Sequence, residues 1–147
     1  MKQATSFRLS WILSLVYMAL TIFLACQRQQ SPTGPDRNGK PIQATFSSIQ
    51  DNIFTPKCVN AGCHNPTPGP MSLQKGVAYD NLVNKPSAYG MPRVDPGNAD
   101  NSALYLKLIG DAKVGGPQAR MPLGAPQLPQ EEINAVKEWI NAGAKNN

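Results

Sequence analysis

The stretch Cys58-Val-Asn-Ala-Gly-Cys63-His64 brings two thiols and the only imidazole of the chain into one short segment. Two thiols and an imidazole can hold a metal ion, close a disulfide or anchor a cofactor. Each alternative implies a different structure around the cluster and a different function. The rest of the 147-residue chain, which contains one other cysteine, discriminates between them.

The N-terminal segment, residues 1–26, has the pattern of an export signal. Two basic residues, Lys2 and Arg8, precede an uncharged apolar run that ends at Ala25, directly before Cys26. A positive start, an apolar stretch and a small residue are typical of a secretory signal peptide. The uncharged run is also long enough to be an uncleaved N-terminal membrane anchor, which is the alternative. Either way, we expect export to the periplasm or the cell surface.

The end of this segment, Phe23-Leu-Ala-Cys26, resembles a bacterial lipobox. The resemblance implies that Cys26 is lipidated and anchors the protein to a membrane, with an ordinary membrane cysteine as the alternative. Residues 27–41 are polar, rich in Pro and Gly and without apolar periodicity, so they predict a flexible linker. The folded domain is therefore expected to cover residues 42–147, enough for a single core.

The charge distribution and the cysteine count restrict the possible partners. The chain has 14 Lys and Arg against 9 Asp and Glu, but the basic residues form no run or stripe. Nucleic-acid-binding domains concentrate basic residues on one face, so we expect no nucleic-acid partner. Export implies an oxidising compartment, where free thiols rarely persist. We therefore expect Cys58 and Cys63 to be bonded to something.

Apolar spacing predicts a mostly α-helical domain in which long Pro/Gly-rich loops connect short helices. Phe46, Ile49 and Ile53 recur at three- and four-residue steps and predict an amphipathic helix over 45–54, which Pro56 should end. The proline-rich stretch 65–70 predicts an extended loop.

Three more helices are predicted downstream. A turn or two of helix is expected within 76–83, and Ser102 looks like the N-cap of a helix that ends at Gly110. The apolar face of that helix should comprise Leu104, Tyr105, Leu108 and Ile109. The last helix lies within 128–143, where acidic residues in the first turn suit the helix dipole and Gly143 closes the helix. Its buried stripe should comprise Ile133, Val136 and Ile140.

Covalent attachment of haem accounts for the cysteine cluster best. In c-type attachment two thiols add to the porphyrin vinyl groups, and the histidine directly after the second cysteine binds the iron. Cys63-His64 is such a pair, although four residues separate the cysteines where two are usual. A zinc site generally needs four protein ligands, and the folded segment offers only three Cys and His. A disulfide between Cys58 and Cys63 remains the alternative without a cofactor.

A methionine is the natural second axial ligand, because the chain has no second histidine. Ligation by His and Met raises the reduction potential of the iron. We favour Met121, in Arg120-Met121-Pro122, because a helix separates it from His64 and the last helix follows it. Met91, which also precedes a proline, is the competing candidate. Arg120 is expected to be a solvated surface residue, with contact to a haem propionate as the alternative.

From about Phe46 to Ala144 the sequence resembles the small single-haem c-type cytochrome domains of exported bacterial proteins. The resemblance rests on four stretches in this order: the Cys58–His64 motif, Val94-Asp-Pro-Gly-Asn-Ala-Asp-Asn-Ser102, Met121-Pro122 and Trp139-Ile-Asn-Ala-Gly-Ala144. It implies a cytochrome c-like fold around one haem, with the first and last helices crossing near one haem edge. It also implies that Cys58 and Cys63 bond one haem c covalently, with His64 as proximal and Met121 as distal iron ligand.

These expectations predict a one-electron carrier in a periplasmic or cell-surface electron-transfer chain, working with a redox partner protein that the sequence does not identify. We do not expect an enzyme, because His64 is used on the iron and no other imidazole remains as a general base. If Met121 is not bound to the iron, the protein is an open-site haem sensor or peroxidase-like protein. Without haem, it is a disulfide-closed lipoprotein binding module.

Overall fold

The computed structural model of the protein describes Gly39, residues 41–65 and residues 71–147. Within these ranges the chain forms short helices and isolated β-bridges but no β-strand, which confirms the prediction of a mostly helical domain. Residues 1–26, with Cys26, lie outside the described residues, as do nearly all of the predicted linker 27–41 and the loop over 66–70. None of the described helices is both long enough and apolar enough to cross a membrane.

The first helix begins where it was predicted but continues past its predicted end. Helix α1, Phe46–Ile49, starts after Thr45, whose side chain accepts a hydrogen bond from the Ser48 amide. From Gln50 the chain continues as a π-helix, Gln50–Val59, with Pro56 inside it. The prediction that Pro56 ends the helix is therefore wrong.

The π-helical geometry explains why Pro56 does not end this helix. In an α-helix a proline lacks the N–H for one hydrogen bond, and its ring clashes with the carbonyl four residues earlier. A π-helix is wider, since its hydrogen bonds reach the fifth residue back. The Asn60 amide donates in this way to the Thr55 carbonyl at 3.0 Å. The wider turn moves the obstructing carbonyl away from the ring, so the helix continues to Val59.

The middle of the domain contains two short helices. Helix α2, Ala78–Leu82, lies within the predicted range 76–83, and helix α3, Ala103–Ile109, ends at Gly110 in a left-handed conformation with φ of 72°, as predicted. Ser102 is the N-cap residue of α3, but its hydroxyl is used elsewhere: it donates to the Asn98 carbonyl at 2.8 Å. A 3₁₀ turn, Ala99–Asn101, precedes α3, and two more follow it at Ala112–Val114 and Pro117–Ala119.

The apolar face predicted for α3 is only partly buried. Leu108 is buried, but Ile109 is exposed and Leu106, which was not included in the face, is buried. The reason is that this short helix packs on two sides. Leu108 belongs to the main core, whereas Ala103 and Leu106 form a second cluster with Val114. A single stripe cannot describe a helix that contacts two clusters.

The last helix, α4, spans Gln130–Asn141 and matches its prediction closely. Its predicted stripe of Ile133, Val136 and Ile140 is completely buried. The acidic first turn is present, and Gly143 follows the helix with φ of 97°. The period of 3.6 residues is therefore sufficient to describe this helix.

The first and last helices pack against each other through aromatic side chains. The ring centroids of Phe46 and Trp139 are 5.5 Å apart, and Tyr79 meets Phe46 edge-on at 5.2 Å. The Ser47 amide donates to the Asn147 carbonyl at 2.8 Å.

An ion pair between Lys57 and Glu132, at 2.5 Å, joins the π-helix to the first turn of α4. These contacts place the end of the π-helix, with Cys58, beside the start of α4.

Candidate functional site

The cysteine cluster lies at the junction between the π-helix and the turn that follows it. Cys58 is in the last turn of the π-helix, and Cys63 and His64 lie in the next turn. Gly62 has a left-handed backbone with φ of 82°, and its amide donates to the Val59 carbonyl at 2.8 Å. The His64 amide donates to the Cys58 carbonyl at 3.0 Å. The four residues between the cysteines thus form a closed loop that returns His64 to the backbone of Cys58.

The imidazole of His64 is held by its Nδ1 atom, which lies 3.2 Å from the carbonyl oxygen of Met71. A carbonyl oxygen only accepts hydrogen bonds, so in the neutral ring this contact places the proton on Nδ1 and the lone pair on Nε2. Histidines that bind metals commonly make this kind of second contact, which fixes both the tautomer and the ring orientation. Of the two ring nitrogens, Nε2 is therefore the one that this contact leaves for a metal.

The segment that holds His64 is itself attached to the π-helix by Gln50. The Leu73 amide donates to the His64 carbonyl at 2.9 Å, and the Gln50 Nε2 atom donates to the Leu73 carbonyl at 2.9 Å. Gln50 also donates to the Thr55 hydroxyl at 3.1 Å, across the five-residue step of the π-helix. Gln50 is only 2% exposed. The buried Gln50 amide therefore joins the π-helix to the backbone of Leu73, shortly after the Met71 carbonyl that contacts His64.

Sequence reasoning did not identify Gln50 as a residue of the site. One signal was present: Gln50 follows Phe46 by four residues, so it lies on the buried side of the helix. The Nε2 atom of this buried glutamine donates to Thr55 and to the Leu73 carbonyl of the segment that holds His64, whereas its Oε1 atom has no hydrogen-bond partner among the described residues.

The two thiols have different surroundings. Cys58 is half-buried and Cys63 is exposed, and neither forms a disulfide in this structure. Burial, and after it the nearby Cys63, raises the pKa of Cys58 from the ordinary 9.0 to about 11. The ammonium group of Lys57 acts in the opposite direction and Glu132 in the same direction, but burial dominates. Cys58 is therefore a protonated thiol near neutral pH.

The methionines divide between the two hydrophobic clusters. Met121 and Met71 pack, half-buried, against the main core, and Cys58 packs against that same core. Met91 packs instead against the second cluster of Ala103, Leu106 and Val114. The backbone of Met121 is attached to α3, because its amide donates to the Lys107 carbonyl at 2.9 Å. Cys58 and Met121 thus pack against the same core, whereas Met91 packs against the second cluster.

The chemistry of these groups fits a covalently attached haem. In the described ranges no three His, Cys, Asp or Glu side chains are grouped so that they could hold a metal ion together. Covalent c-type attachment uses two thiols and one imidazole with a free nitrogen and, for six-coordinate iron, a second axial ligand such as a thioether. Cys58, Cys63, His64 and Met121 supply this set. A cavity of about 310 Å³, lined by Phe46, Gln50 and Tyr79 among others, includes none of the four.

Comparison of the chain with models of protein families, with curated proteins and with solved structures finds no match.

The two thiols should react at very different rates in the chain produced without haem. At about pH 8 iodoacetamide attacks thiolates, and the raised pKa of Cys58 lowers its thiolate fraction roughly a hundredfold relative to an ordinary cysteine. Mass spectrometry of peptides should show Cys63 modified first. Modification of Cys58 should accelerate roughly tenfold per pH unit until its pKa is reached. Equal rates at both cysteines in the folded chain would contradict the burial of Cys58.

Proposed function

We propose that the protein is a monohaem c-type cytochrome that carries single electrons in a periplasmic or cell-surface electron-transfer chain. In this proposal Cys58 and Cys63 attach one haem c, His64 is the proximal ligand and Met121 the distal ligand. One observation carries the proposal: the imidazole that directly follows Cys63 is held at Nδ1 by the Met71 carbonyl, which leaves Nε2 free. The closed loop between Cys58 and His64 accounts for the unusual cysteine spacing.

Each residue has a separate part in this function. The bound haem would supply a reversible one-electron couple. The Met71 carbonyl orients the imidazole of His64 and makes Nε2 a better donor of its lone pair. A thioether ligand from Met121 would favour the reduced state and raise the potential. No catalytic activity is proposed, because the only histidine of the chain is assigned to the iron.

The cytochrome c-like fold is part of the proposal. It is supported by the helical character of the described residues and by the packing of the first helix on the last through Phe46 and Trp139. The cysteine cluster begins in the last turn of the π-helix that continues the first helix, and Met121 lies in the segment between α3 and the last helix. The c-type cytochrome domains that the sequence resembles have the same order of elements.

The cysteine variants test covalent attachment. Either Cys58→Ala or Cys63→Ala leaves at most one thioether bond, and the double variant leaves none. We expect that the double variant loses its haem on denaturation in acid and organic solvent, and that His64→Ala fails to mature. The measurement is the visible spectrum of the exported protein together with the mass of the denatured chain.

Asn60→Ala is the matched control, because Asn60 is an exposed residue in the same loop. It should retain normal haem content and the wild-type mass. Normal covalent haem in the Cys58→Ala, Cys63→Ala double variant would refute the proposal. A wild-type chain without haem but with a disulfide would indicate the lipoprotein binding module instead.

The methionine variants test the distal ligand. In Met121→Ala the weak sulfur-to-iron absorption band near the red end of the ferric spectrum should disappear. The reduction potential should fall by on the order of 0.1 V, within the span of about 0.8 V over which axial ligands set it. Met91→Ala should leave both unchanged, because Met91 packs on the other cluster. The opposite pattern would assign the ligand to Met91, and a wild-type protein without the band would have an open site.

We also propose that Cys26 is lipidated and that it anchors the exported domain to a membrane, where its partner is a redox protein and not a nucleic acid. Cys26→Ser should release the domain into the soluble fraction, because lipid attachment then has no acceptor. Cell fractionation followed by measurement of haem in each fraction tests this. Retention of the Cys26→Ser variant in the membrane fraction would indicate an uncleaved spanning anchor.

A further inference from the structure

Arg120 directly precedes the proposed distal ligand and is not the solvated surface residue that the sequence suggests. It is half-buried, and its guanidinium donates to two backbone carbonyls. One nitrogen lies 3.0 Å from the Ala125 carbonyl, and another lies 3.4 Å from the Met121 carbonyl. A single planar side chain thus spans the turn from Met121 to Ala125. We define these five residues, 121–125, as the methionine loop.

The two ends of the methionine loop are held in different ways. Its N-terminal end is attached to α3, because the Met121 amide donates to the Lys107 carbonyl at 2.9 Å. The Lys107 ammonium also donates to the Ala119 carbonyl at 3.2 Å. At the C-terminal end, Ala125 is bonded within the loop to Pro122 at 3.3 Å, and otherwise to Arg120. Arg120 is therefore the contact that ties the far end of the loop to its start.

The tip of the methionine loop has little support from the core. Leu123, at the tip, is 62% exposed, so packing contributes little to holding the loop closed. The aliphatic part of the Arg120 side chain, in contrast, lies close to Gly110. A Cβ atom on Gly110 would lie 3.3 Å from the Arg120 Cβ and 3.2 Å from the Pro117 backbone. The glycine at the end of α3 thus leaves room for the arginine that clamps the loop.

We propose that Arg120 is the positioning residue for Met121: its guanidinium keeps the methionine loop closed, so that the thioether stays on the iron. This inference rests on the proposed function. Arginine suits the task because its planar fork can serve two separated carbonyls at once, whereas the three donors of a lysine ammonium all lie on one nitrogen atom. Arg120 does not contact the iron in this proposal and acts only through the loop that carries Met121.

The proposal predicts how easily an external ligand replaces Met121. An imidazole from solution binds the ferric iron only when the loop has opened, so its apparent affinity is proportional to the open fraction. The two hydrogen bonds of Arg120 are charged and partly exposed, and their loss should raise the open fraction about fivefold to tenfold. The affinity for imidazole should increase by the same factor.

The experiment is an imidazole titration of the ferric protein, followed by the loss of the sulfur-to-iron band. Arg120→Leu removes both hydrogen bonds, and Arg120→Lys keeps the charge but reaches at most one carbonyl. Arg93→Leu is the matched control. Arg93 is also half-buried and also donates to a backbone carbonyl, that of Asn81 at 2.8 Å, away from the methionine loop. Hydrogen exchange at the amides of residues 121–125 gives a second measurement.

Arg120→Leu should have the highest affinity for imidazole and Arg120→Lys an intermediate affinity, whereas Arg93→Leu should equal the wild type. Hydrogen exchange at the amides of residues 121–125 should be faster in the two Arg120 variants. If Arg120→Leu matures poorly, the comparison of Arg120→Lys with the wild type decides. The proposal is overturned if the Arg120 variants match the wild type, or if Arg93→Leu shows the same increase and charge alone is responsible. In those cases the wild-type band still supports Met121 as ligand. A wild-type protein without the band would overturn both this inference and the distal ligand of the proposed function.

Discussion

The hydrogen bond between His64 Nδ1 and the Met71 carbonyl is the contact on which the proposed site depends. The chain has one imidazole, and the tautomer of its neutral ring decides which of the two nitrogens offers a lone pair to iron. If Nε2 carried the proton, the ring would offer iron no lone pair at that atom. The carbonyl fixes the proton on Nδ1, and buried Gln50 holds the next turn of that segment through Leu73. A backbone contact, supported from the core, thus sets the chemistry of a half-buried side chain.

The wide spacing of the cysteines becomes understandable from the backbone around them. The π-helix, Gln50–Val59, carries Cys58 on its last turn and accommodates Pro56, which an α-helix would not. The left-handed backbone at Gly62 then reverses the chain, and the His64 amide returns to the Cys58 carbonyl. A residue with a Cβ atom would be strained at Gly62, so the glycine is a condition for this return. The two additional residues between the cysteines lie in this loop, so the backbones of Cys58 and His64 still form a hydrogen bond with each other.

The sequence allowed the elements with a long, regular pattern to be predicted, but not those that depend on tertiary contacts. Helix α4 was predicted with its buried stripe because twelve residues repeat one amphipathic period. The π-helix was missed because a proline usually ends an α-helix and no local sequence pattern indicates a wider helical turn. Gln50 and Arg120 were missed for a related reason: their partners, the carbonyls of Leu73 and Ala125, are backbone atoms that any residue could supply. The four candidate site residues, by contrast, could be identified from the sequence because few residues of the chain carry a thiol, an imidazole or a thioether.

The two sides of the proposed iron site are held with unequal strength. On the His64 side the support comes from Gln50, which is 2% exposed and donates to the Leu73 carbonyl, and from the Leu73 amide, which donates to the His64 carbonyl. On the Met121 side it comes from an arginine fork over a loop whose tip, Leu123, is 62% exposed. Segments with few buried contacts open at lower free energy than core elements. Local opening should therefore release Met121 well before His64. In the proposed electron carrier that asymmetry would keep the attached side of the site fixed, while the hydrogen bonds of half-buried Arg120 would adjust how strongly Met121 binds.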